Sequence, residues 1–68
     1  MTLVEIVSKS TQQVVDRMNF HKDETYETLL YWVKVALAAD VEVYAQFVYK
    51  GSIYLVSIDE ERQYGKHV

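Results

Sequence analysis

Residues 29–40, LLYWVKVALAAD, carry one charged side chain, Lys34, before the closing Asp40. Wound at 100° per residue, this stretch is apolar almost all the way round, and a helix of that kind must be covered on more than one side. The chain offers little to cover it with. It has 68 residues, enough for one domain, and folding a chain of this size buries only about 60% of the surface that its unfolded form exposes. Short chains commonly make up the deficit with disulfides, metals or association. With no cysteine present, disulfides and thiolate metal ligands are excluded. The two histidines, His21 and His67, lack the short repeated spacing of a zinc site. Association is the support left over, and a homodimer is expected.

The chain reads as a single α+β domain over 1–68, with two α-helices followed by a two-stranded antiparallel β-hairpin. Between about 2 and 19, Leu3, Val4, Val7, Val14, Val15 and Met18 gather on one side of a helical projection, which predicts an amphipathic helix. TLVEIVS within it is rich in β-branched residues and also fits a short strand. The segment NFHKDET interrupts the pattern, and Asp23 is placed to cap a second helix over about 24–39. That helix buries a stripe through Tyr26, Leu29, Leu30, Val33, Ala36 and Leu37, carries Thr28, Trp32 and Val35 on a further flank, and leaves Glu27, Tyr31 and Lys34 as a narrow polar strip.

Beyond Asp40 the period changes to two, as Val41, Val43, Ala45, Phe47 and Tyr49 alternate with more polar neighbours. A turn at Lys50 and Gly51 leads into IYLVSI, so a hairpin is expected over about 41–58, with Tyr49 facing Ser52, Phe47 facing Tyr54 and Ala45 facing Val56. Its second face, with Tyr44, Gln46 and Val48 beside Ile53, Leu55 and Ser57, is more apolar than a solvated sheet face usually is. Residues 59–68 read as a polar tail that frays or forms one helical turn.

Continuing the hairpin register outward brings Glu42 near Asp59 and Asp40 near Glu61, with Glu60 beside them, so that five carboxylates crowd one corner. Such a corner attracts a basic protein surface or is simply solvated. The fixed ligand offsets of a calcium loop are absent from it, and no metal or cofactor is expected.

Half of the residues are hydrophobic and a quarter are charged, the composition of a folded chain and not of a disordered tail. A net charge of −3 speaks against phosphate-backbone binding as the main activity. No glycine-rich phosphate loop or nucleophile elbow occurs, and so small an interior leaves little room for a catalytic pocket, so an enzyme is not expected. The N-terminal residues do not read as a secretory signal and no apolar run is long enough to span a membrane, which suggests a cytoplasmic location.

The expected function is that of a small acidic protein-interaction module, an adaptor or inhibitor of bacterial or phage type that binds a larger protein as a homodimer. Tyr31, Trp32 and Val35 on the helix flank, together with Asp40, Glu42, Asp59, Glu60 and Glu61 at the acidic corner, are the expected contact residues. The alternative is a nucleic-acid-associated regulator that gathers Lys9, Arg17 and Lys22 on one surface.

Overall fold

The computed structural model of the chain describes residues 2–20 and 24–66. Six elements follow in the order β1 (Thr2–Ser8), β2 (Val14–Phe20), α1 (Tyr26–Leu37), β3 (Val43–Tyr49), β4 (Ser52–Ser57) and β5 (Glu60–Lys66). The strands form one antiparallel sheet in the order β2-β1-β3-β4-β5, with α1 packed on one face. This overturns the two-helix α+β reading: the domain is mostly strand, with a single helix among the described residues.

The expected helix over 2–19 is two strands. Six polar residues, Ser8 to Gln13, separate its apolar halves, and the backbone reverses there. Ser8 N–H donates to the Gln13 carbonyl, and Gln12, with φ of 61°, donates back to the Ser8 carbonyl. Once TLVEIVS is extended, alternation sends Val4 and Ile6 to the helix side, where both are buried. A bulge between Ile6 and Val7 shifts the register, so that Ile6 faces Asp16 while Val7 faces Val14. An inserted residue of this kind breaks period two, which is why VVDRMNF does not read as a strand.

The register of the expected hairpin holds over its inner pairs, but the strands are shorter than 41–58, Ile58 lies in a turn and not opposite Val43, and β1 and β5 flank the pair. Tyr49 pairs with Ser52, Phe47 with Tyr54 and Ala45 with Val56. Lys50 and Gly51 have φ of 47° and 83°, the two positive values that a type I′ turn needs to match the twist of its strands. The expected polar tail of 59–68, fraying or helical, is instead a fifth strand over Glu60–Lys66, which returns along β4; its last two residues lie outside the described ones. The turn at Ile58 and Asp59 and the open ladder groups of β4 impose that conformation on a polar segment.

The helix is shorter than expected at both ends. Thr25 is its N-cap, accepting from Thr28 N–H through Oγ1 at 3.2 Å, whereas the expected cap Asp23 lies outside the described residues. At the other end Ala38 and Ala39 both adopt left-handed φ, 53° and 58°, a conformation that costs an L-residue roughly 1–2 kcal/mol. Ala38 N–H reaches the Val35 carbonyl and Asp40 N–H the Leu37 carbonyl, so the strained exit still satisfies the last turn.

The core joins Leu29, Val33 and Leu37 to Val4, Ile6, Ala45, Phe47 and Val56. Tyr26 lies against Tyr49 and Tyr54, with ring centroids 5.7 and 4.7 Å away, and Tyr54 stacks on Phe47. The Tyr49 hydroxyl donates to the Glu24 carbonyl at 2.7 Å and so pins the start of the helix to the sheet. Three of the six tyrosines thus serve the core. No helix among the described residues is long and apolar enough to cross a membrane.

Candidate functional site

Two surfaces lie outside this core, and they sit on opposite sides of the sheet. The first is the outer flank of α1. Tyr31, Trp32 and Val35 are 62%, 49% and 54% exposed, and the rings of Tyr31 and Trp32 meet edge-on with centroids 5.2 Å apart. Lys34 reaches Glu61 of β5 at 3.1 Å, which marks the side of the helix turned toward β5. At 100° per residue Trp32 lies nearly opposite Lys34, on the side turned away from β5. The flank that the helical projection left unaccounted for is therefore uncovered within one copy. Tyr31, on the strip with Glu27 and Lys34, meets it through its ring contact with Trp32.

The second surface is the face of the sheet that the helix does not touch. Cross-strand partners share a face, so the register defines it. Its middle row runs Arg17, Glu5, Gln46, Leu55 across the sheet. Glu5 accepts from Arg17 Nε at 3.1 Å and from Gln46 Nε2 at 2.9 Å. These two donors, Gln46 foremost, hold the Glu5 carboxyl below its ordinary value of 4.5. Toward the β3–β4 turn, Leu3, Val48 and Ile53 line a shallow depression rimmed by Glu5 and Gln46; Leu3 and Val48 are 45% and 41% exposed.

At the opposite end of this face the β1–β2 turn folds inward. The Tyr44 hydroxyl donates to Gln12 Oε1 at 3.2 Å, and Val7 is buried. Lys9, Tyr44, Ser57, Asp59 and Glu60 line a polar hollow there. Period-two alternation in TLVEIVS was the signal for Leu3 and Glu5, and the helical reading of that segment hid it.

The acidic corner does not assemble as expected, because Glu60 pairs with Ser57 and Glu61 with Val56. The neighbouring acids then project to opposite faces: Glu61 toward α1, where it meets Lys34, and Glu60 to the open side. Asp40 Oδ1 accepts from Glu42 N–H at 2.9 Å and closes the loop between α1 and β3. Asp59 accepts from the Ser57 hydroxyl at 2.9 Å, and that bond holds its carboxyl below the ordinary value. Asp40, Asp59 and Glu61 thus each have a hydrogen-bond or ion-pair partner within the fold. Among the described residues, no group of three or more His, Asp or Glu is arranged to hold a metal.

Of the basic residues of the alternative reading, the two described ones, Lys9 and Arg17, lie on different elements. Arg17 is engaged by Glu5, Lys9 N–H donates to the Glu42 carbonyl near the acidic loops, and Lys22 lies outside the described residues. No protein-family profile, curated protein or solved structure matches the chain.

Proposed function

We propose that the protein is a small acidic, non-enzymatic interaction module that binds a larger protein, as an adaptor or inhibitor, and that works as a homodimer. The exposed Tyr31–Trp32 pair with Val35 beside it carries this reading. Aromatic side chains held rigid by one another and set on a helix are the usual anchors of protein contacts, because they bring large area at small entropic cost. No other tryptophan exists in the chain, and nothing in the fold requires this one at the surface. Glu27, on the same helix, and the dispersed carboxylates give the acidic surroundings that favour a partner with basic groups at its rim.

The test is capture from a native-type extract by the tagged chain and by its Trp32→Ala variant, compared by mass spectrometry. One larger protein retained by the wild type and lost with Trp32→Ala, at unchanged far-UV circular dichroism, is the expected result. Identical capture by both chains sinks the assignment.

A further inference from the structure

We infer that Asp16 closes the outer edge of β2 to strand addition by another copy of the chain, because its carboxylate occupies a main-chain donor that the added strand would need. The inference goes beyond the reading above and is independent of it, since the Trp32 flank lies on the helix.

An open sheet ends in two strands, each with one free row of N–H and C=O groups, and such a row is a template for further pairing. Here the end strands are β2 and β5. They differ in composition. EERQYGK, in β5, carries four charged residues among seven, and charge along an edge strand discourages addition. VVDRMNF, in β2, carries two, among Val14, Val15, Met18 and Phe20. On composition alone β2 is the edge more prone to pair.

The direction of its main-chain groups follows from the hydrogen bonds at the β1–β2 turn. Ser8 donates to the Gln13 carbonyl and accepts from Gln12 N–H, so both of its groups point toward β2. Successive residues of a strand turn these groups to alternate sides, and Ile6, Val4 and Thr2 therefore also bond toward β2. Their partners Asp16, Met18 and Phe20 bond inward in return. Arg17 and Asn19, between them, turn their N–H and C=O groups outward. The register shift lies before Asp16, so this run of pairs is regular.

One of the two outward donors is already engaged. Arg17 N–H donates to Asp16 Oδ1 at 2.8 Å, within the range of charge-assisted bonds. A donor committed to β1 could not make this bond, which agrees with the alternation. An incoming strand must displace the carboxylate before it can accept from Arg17. The displaced charge then stands at the new seam, on the same side of the sheet as Ile6, where a matching strand would place apolar side chains. Val15, passed over in the pairing between β1 and β2, breaks the spacing of the outer row one step further along.

The experiment compares wild type, Asp16→Ala, Asp16→Asn and the double variant Asp16→Ala/Asn19→Pro. Asp16→Ala and Asp16→Asn change the charge alike, but only asparagine keeps an oxygen that accepts from Arg17. Asn19→Pro deletes the other outward N–H and leaves the bonds to β1 in place, as proline does on an edge strand. Amide exchange followed by NMR at low concentration is expected to show Arg17 more protected than Asn19 in wild type, and to lose that protection in Asp16→Ala. Light scattering coupled to size-exclusion chromatography at high micromolar concentration is expected to give Asp16→Ala about twice the wild-type mass, as the β2 edges of two copies pair. Asp16→Asn and the double variant should keep the wild-type mass, with far-UV circular dichroism alike in all four.

Arg17 no better protected than Asn19 in wild type overturns the inference, and this reading needs no variant to fold. Asp16→Ala at wild-type mass overturns it as well. Equal association of Asp16→Ala and Asp16→Asn assigns the effect to charge and not to the bond, and association of the double variant places the contact away from this edge; either result overturns it. Should Asp16→Ala precipitate, rescue by Asn19→Pro supports the inference and failure of rescue overturns it.

Discussion

Along β1, consecutive residues meet different fates. Val4 is fully buried under the helix, while Leu3, one peptide away, is nearly half exposed on the far side. The same contrast runs across the sheet, with Ala45 and Val56 sealed and Val48 open. Both faces carry apolar side chains, but only one has a layer over it. The covered face stores the stability of the single chain, and the open face leaves apolar side chains such as Leu3 and Val48 to solvent.

The largest expected effect separates the two leucines. Leu29→Ala removes a buried core side chain and is expected to cost about 3 kcal/mol, a fall in melting temperature of more than about 12 °C for a domain of this size. Leu3→Ala, on the open face, is expected to cost less than about 1 kcal/mol in dilute solution. Thermal and urea unfolding of both variants measures the gap. Comparable losses at low concentration would break the comparison, because the open face would then be covered within one chain.

Tyrosine hydroxyls sharpen it at a finer scale. Tyr49→Phe deletes the half-buried bond to the Glu24 carbonyl and is expected to cost about 1 kcal/mol. Tyr44→Phe deletes the exposed, longer bond to Gln12, with an expected loss below about 0.5 kcal/mol. Denaturant midpoints at constant slope distinguish the two.

The smallest effect is the response to pH, and here the faces divide by sign. Glu5 is held below 4.5 by Gln46 and Arg17, so its contribution is whole above that value and fades as pH falls through its lowered folded pKa. Glu5→Gln should therefore destabilise at neutral pH and converge with wild type in acid. On the helix side, burial first and then Glu61 raise the Tyr26 hydroxyl above 10.0. Its contribution is whole below 10.0 and is lost as pH rises through the raised value. Unfolding curves for Glu5→Gln and Tyr26→Phe across pH measure both.

What the sequence made legible follows from how local each signal is. The helix and the β3–β4 turn announce themselves within a few residues: Leu29, Val33 and Leu37 at helical spacing, and Lys50–Gly51 between alternating runs. The exposed Trp32 flank follows from the same projection. The first two strands were hidden because Leu3, Val4 and Val7 satisfy a helical stripe as well as a pleat, and the bulge erases the period in β2. EERQYGK has no strand composition, and it is extended because β4 needed a neighbour. The acidic corner failed for the same reason: the register was continued past Ile58 where the chain turns back.

The seam between β1 and β3 has a consequence for how the molecule forms. Its partners are distant along the chain, Val4 with Phe47 and Ile6 with Ala45, whereas the pairs on either side close over short turns. A local hairpin, β1–β2, and a local meander, β3–β4–β5, can therefore zip up early, and the slow event is the closure of the long loop that sets β1 against β3. Mutations at Ile6 or Ala45 would then act on the rate of folding, while those at the outer strands would show mainly in how fast the chain comes apart.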